Sequence, residues 1–139
     1  NVCCKELNHR DLAGFCDTSA ELEIYGAIPV MFSAGCIKKT GSRCDGKTEN
    51  IRLTDRKGQN VSIHTVCRYC YNILYYPEIL WLLEDEKDWR EIRPLSIRFS
   101  FTTETAEQCK NIMDLFTGKG NGMEIQRGYT KGHFKRGVL

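Results

Sequence analysis

The stretch CRYCYNILYYPEILWLLEDEKDW, Cys67 to Trp89, decides how this chain is read. It opens as a short apolar run. Pro77 then stands where a helix takes its first residue, a position that has no use for a backbone N–H and suits the fixed proline φ. Ile79, Leu80, Leu82 and Leu83 follow and supply such a helix with an inward face. The spacing therefore predicts a helix beginning near Pro77.

The segments to either side extend a β/α rhythm. NVCC, residues 1–4, reads as a short buried strand. Asn8 is placed to cap a helix in which Asp11 holds the third position and Leu12 faces inward. ELEIYGAIPVM, residues 21–31, reads as a second strand ended by Gly26 and Pro29. Strand, helix, strand in this order favours a parallel β/α unit. IRLTDRKGQNVSIHTV, residues 51–66, interrupts it with a hairpin that turns at Lys57-Gly58. Downstream, PLSIRFSF alternates Leu95, Ile97, Phe99 and Phe101 against Ser96, Arg98 and Ser100, as a strand does. TAEQCKNIMDLF predicts a helix, with Thr105 and Gln108 as a capping box and Cys109, Ile112, Met113 and Phe116 at helical spacing.

Composition narrows the class. With 139 residues, 41% hydrophobic and 27% charged, the chain suits one modest domain with a core and not a disordered segment. A net charge of +2 is too small to imply a nucleic-acid partner by itself. No apolar run reaches bilayer length, and Lys5, Glu6 and Arg10 break any signal-peptide core. Because the chain opens on Asn1 inside a strand-like run, a single partial domain, 1–139, cut from something longer is expected.

Eight cysteines are many for this length: Cys3, Cys4, Cys16, Cys36, Cys44, Cys67, Cys70 and Cys109. With no export signal, and with Cys109 on an apolar helix face, a reducing cytoplasmic setting is expected. Clustered loop thiols in such a setting are more often metal ligands or catalytic groups than core thiols. Cys3, Cys4, Cys16 and Cys109 read as core thiols.

ELEIYGAIPVMFSAGC, LTDRKG, CRYCYNILYYPEILWLL, RFSFTTET and YTKGHFKRGV, in this order, resemble the U32 peptidase family, the collagenase-like proteins. The resemblance covers essentially the whole chain and implies an α/β fold, the C-terminal portion of a TIM-type β/α barrel with a β-hairpin excursion. It implies either protease chemistry or, as in other members, oxygen-independent hydroxylation of RNA bases or of small aromatic precursors on an iron–sulfur cluster. No protease motif is visible; for a genuine protease the catalytic groups would lie in a missing N-terminal part. Cys36, Cys44, Cys67 and Cys70 are the candidate ligands for a 4Fe–4S cluster: Cys36 matches a cysteine of the family, Cys44 matches more loosely, and Cys67 or Cys70 would replace the family cysteine lost at Pro29. Four thiolates also suit a structural zinc site in a non-catalytic domain, and spacing does not separate the two. The family strand reads H-G-A-x-C, whereas Tyr25 and Pro29 stand at the His and Cys positions here.

Further candidates surround these thiols. Arg98 and His133 are expected to contact substrate, Arg98 by a forked hydrogen bond to an anion. Glu104 is an acid–base candidate or only part of a helix start. Asp55 and Arg56 read as turn-fixing residues. Lys131, Lys135 and Arg136 with Tyr129 and Phe134 have the basic-plus-aromatic pattern of RNA contact, and Lys38, Lys39 and Arg43 form a second basic group. His64 and His9 carry no expected role. RNA or a small molecule is the expected partner, and no membrane.

Overall fold

The computed structural model describes residues 1–15, 19–41, 44–119 and 128–136; Cys16 and Arg43 lie outside the described residues. In chain order the elements are α1 (His9–Phe15), β1 (Glu21–Ser33), α2 (Ile37–Thr40), β2 (Glu49–Thr54), β3 (Asn60–Val66), β4 (Tyr71–Trp81), α3 (Glu86–Glu91), β5 (Ser96–Ser100), α4 (Ala106–Phe116) and β6 (Tyr129–Thr130). One-turn 3-10 segments, Cys67–Tyr69 and Leu83–Asp85, bracket β4.

The strands are hydrogen-bonded in the order β2-β3-β4-β1-β5, with β6 on β4, and the order does not close on itself. This overturns the expectation of a TIM-type barrel portion. Such a barrel needs parallel neighbours joined by crossover helices. Here β2 runs antiparallel to β3, and β3 antiparallel to β4, through tight turns. Parallel pairing is found for β1 with β5 and for β4 with β6.

The physical reason lies in the residues that follow the C-x-x-C turn. Tyr71 to Trp81 is one eleven-residue strand, not an apolar run and a helix. Tyr, Ile and Trp dominate it, and these side chains pack well on a pleated sheet. Pro77 does not break it because the ladder with β3 ends at Tyr75 and that with β6 starts at Ile79. The proline stands between these two ladders and removes no bond from either; β4 also neighbours β1. Likewise β1 runs on through Pro29 to Ser33, although Gly26 and Pro29 were expected to end it. Its register with β5 stops at Gly26, so Pro29 has no β5 partner to lose. NVCC contributes a single bridge, Val2 to Glu21, and not a strand.

Two compact units share the chain: Asn1–Gly26 with Ile79–Leu139, and Ala27–Glu78. In the first, Tyr25, Ile79, Trp81 and Ile112 form a buried cluster, with Leu83, Phe99 and Leu115 against it. Helix α4 is positioned for this by its ends. Thr105 and Gln108 make the expected capping box. Gly118 N–H bonds Leu115 O and Lys119 N–H bonds Asp114 O, the Schellman pattern, with Gly118 left-handed at φ 71°. Ile112 faces the core, while Met113, at 37% exposure, does not. Asn8 caps α1, its Oδ1 accepting from Arg10 and Asp11 N–H.

The second unit is the meander with α2. Asp55 fixes the β2–β3 turn: its Oδ1 accepts from Lys57 and Gln59 N–H, and Gly58 supplies the left-handed residue at φ 79°. Among the described residues no helix is long and apolar enough to cross a membrane.

Candidate functional site

All four cysteines of the expected ligand set fall in the second unit. Cys36 is buried and precedes α2, its carbonyl accepting from Thr40 N–H at 3.0 Å. The loop before it is anchored by Asn72, whose Nδ2 donates to Gly35 O at 2.6 Å. Cys44 is exposed in the connection to β2. Cys67 is half-buried, with Sγ donating to Lys47 O at 2.8 Å and its N–H to Thr48 Oγ1 at 3.2 Å. Cys70 is exposed and left-handed at φ 53°, and its Sγ donates to Cys67 O at 3.7 Å.

Lys38 ties these segments together. Its side chain is only 6% exposed, yet it carries an ammonium bonded to Asp45, to Glu49 at 2.8 Å and to Lys47 O at 2.9 Å. The hydrogen bond Lys38 donates to Asp45, then the one it donates to Glu49, pushes the Lys38 pKa well above the lysine range despite desolvation. The same ammonium holds Asp45 below the usual carboxylate range. A buried charge so paired is satisfied, and removing one partner would strand it. The Lys47 carbonyl thus accepts both Lys38 Nζ and Cys67 Sγ. One oxygen joins α2, the 44–48 connection and the C-x-x-C turn.

The donors suit a soft metal, since thiolates are what iron–sulfur clusters and structural zinc select. Their arrangement does not yet form a ligand set. Among the described residues no three Cys, His, Asp or Glu side chains are placed to hold one metal ion. The segments are gathered while the sulfurs are not converged. Asn72 Oδ1, buried nearby in the chain, has no hydrogen-bond partner among the described residues.

The other expected site residues lie in the first unit. Arg98, on β5, is engaged in an ion pair with Glu21 of β1. Taking up an anion there would cost that pair. His133 is exposed in the turn after β6 and accepts from Arg136 N–H through its carbonyl. The basic-plus-aromatic stripe is not open as expected. Lys131 and Lys135 meet Asp85 at 2.8 and 2.9 Å, and Lys135 also meets Asp88. Phe134 is buried against His9, ring centroids 5.6 Å apart. Tyr129 alone of its aromatics stays exposed, beside Trp81. The hydrogen bond from Lys135 holds Asp88 below the carboxylate range, and Asp88 first, then Asp85, holds Lys135 above the lysine range. The core expectation holds for buried Cys3 and fails for exposed Cys4; Cys109 is half-buried. His64 bonds Asn50 across the hairpin.

Both carboxylate oxygens of Glu104 accept hydrogen bonds. Its Oε1 accepts from the Tyr25 hydroxyl at 2.9 Å, and Oε2 accepts from Thr102 and Thr103 N–H at 2.6 and 3.0 Å. Around it, the Tyr25 ring meets Trp81, Phe99 and Phe101 at centroid distances of 5.8, 6.3 and 5.3 Å. Neither this group nor the Asp85–Lys131 network leaves a local spacing signal, because the partners are far apart in sequence.

No protein-family model, no curated protein and no solved structure gives a significant match to the chain.

Proposed function

We propose that the chain is part of a U32-type, collagenase-like protein of the cytoplasm, acting in oxygen-independent modification of RNA or of a small aromatic substrate. Cys36, Cys44, Cys67 and Cys70 are its proposed ligands for a 4Fe–4S cluster, with zinc the alternative metal. The order of the five sequence blocks supports the family. The shared Lys47 carbonyl supports the site: it binds Lys38 and Cys67, and so draws the three thiol-bearing segments to one end of the meander. Convergence of the sulfurs themselves is the step that metal would supply, and the exposed Cys44 and Cys70 are the ones with room to move.

The test is anaerobic purification with iron, sulfide and zinc measured per chain. Iron and sulfide in equal amounts, lost in Cys70→Ser and in Cys36→Ser, are expected. Cys70 is exposed, so its replacement keeps the test clear of a folding defect at buried Cys36. Zinc alone would move the assignment to a structural site. A chain that carries neither metal would overturn it.

A further inference from the structure

We propose that Cys67 and Cys70 are a dithiol–disulfide exchange site, closing a reversible disulfide across the 3-10 turn between β3 and β4. The proposal goes beyond the metal reading and does not need it. Cys70 N–H donates to Cys67 O at 3.3 Å, which closes a turn over the two residues. Such turns hold their end Cα atoms within about 7 Å, overlapping the disulfide range of roughly 4.4–6.8 Å. The left-handed backbone of Cys70 folds its side chain back over the turn, to 3.7 Å from the Cys67 carbonyl. Cys67 Sγ is held by its hydrogen bond to Lys47 O at 2.8 Å and by a longer one to Thr65 Oγ1 at 3.9 Å. The proposed disulfide requires rotation about the Cys67 side chain, which gives up both of these bonds and turns the sulfur toward Cys70. The pair has no third ligand placed with it among the described residues, which favours pairing over coordination in this conformation.

Exposure divides the roles. Cys70 is exposed and Cys67 half-buried, so Cys70 is the attacking thiol. Its thiolate attacks one sulfur of a low-molecular-weight disulfide of the glutathione type. That bond breaks, a mixed disulfide forms on Cys70, and the first small thiol leaves with a proton. The Cys67 thiolate then attacks Cys70 sulfur and expels the second small thiol, again with a proton. The two protein thiols lose two electrons and two protons, and the small disulfide takes them up. A closed disulfide removes two of the four thiol donors, so oxidation and metal loading exclude one another.

The experiment exposes the full reduced chain to oxidised glutathione, alkylates free thiols and maps peptides by mass spectrometry. A chelator-treated sample runs in parallel, and iron is measured on both. The expected result is a Cys67–Cys70 disulfide, lighter by two hydrogen atoms, unalkylated and reopened by dithiothreitol. Cys67→Ser should accumulate a glutathione adduct on Cys70 at least tenfold above the unmodified chain, and Cys70→Ser should not accumulate one on Cys67. Alkylated Cys67 and Cys70 in the chelated sample, or disulfides from either to a third cysteine, would overturn the proposal. Iron content reports on the cluster alone, so the two assignments fail separately.

Discussion

The Tyr25 hydroxyl donates to Glu104 Oε1 across 2.9 Å and ties the middle of β1 to the loop that starts α4. Tyr25 is itself 2% exposed and central to the buried cluster of the first unit. Its replacement by Phe keeps the ring packing and deletes the hydrogen bond to Glu104. Tyr25→Phe should lower stability by about 1 kcal/mol, with a shift in urea midpoint and no change in slope. An unchanged midpoint would mean that the bond does not form in solution.

Gly26, next along β1, leaves no room for a side chain. A Cβ there would stand 2.8 Å from Ser100 Cβ and 3.0 Å from Ser100 O, across the parallel pairing with β5. Gly26→Ala should cost about 1–3 kcal/mol, the usual range for overpacking. Thermal unfolding of the variant checks it; wild-type stability would show that β5 can move aside.

The capping box of α4 should be worth about 1 kcal/mol through Thr105→Ala, and truncation of its buried face through Ile112→Ala about 2–5 kcal/mol. Equal effects from the two substitutions, read by chemical denaturation, would contradict the burial of Ile112.

Acid should loosen the pairing of Asp88 with Lys135. Asp88 is held below its ordinary range in the folded chain, so its contribution is whole above that range and is lost as pH falls through the lowered value. Lys135 is held above its range, so its contribution is whole below the lysine range and is lost only as pH rises through the raised value. The pair therefore favours the folded chain from mildly acidic through neutral pH. Asp88→Asn should be less stable than the native chain at neutral pH and should lose less stability on acidification below about pH 4. Parallel acid limbs for the two proteins would show that the pair is not formed.

Several single elements are legible in local pattern, while the sheet topology is not, and the errors have local causes. The alternation of Ser96 to Ser100, the capping box of α4 and the Asp55–Gly58 turn each announce themselves within a few residues. Pro77 misleads, because a proline suits the first turn of a helix and equally a gap between two ladders, and only the partners of β4 distinguish the two. That one element changes a parallel β/α reading into an antiparallel meander. The thiols are legible as a set from composition and spacing. What holds them is not: Lys38 buried between Asp45 and Glu49 looks, in sequence, like part of a solvated basic patch. The same applies to Lys131 and Lys135, whose acidic partners lie more than forty residues upstream.

X-ray absorption at the metal edge, on the anaerobically purified full chain, reads the thiol site itself. Sulfur neighbours at about 2.3 Å, lost in Cys70→Ser, are expected for a metal held by the gathered cysteines. Oxygen or nitrogen neighbours alone, or no bound metal, would contradict the convergence of Cys36, Cys44, Cys67 and Cys70 on one metal site.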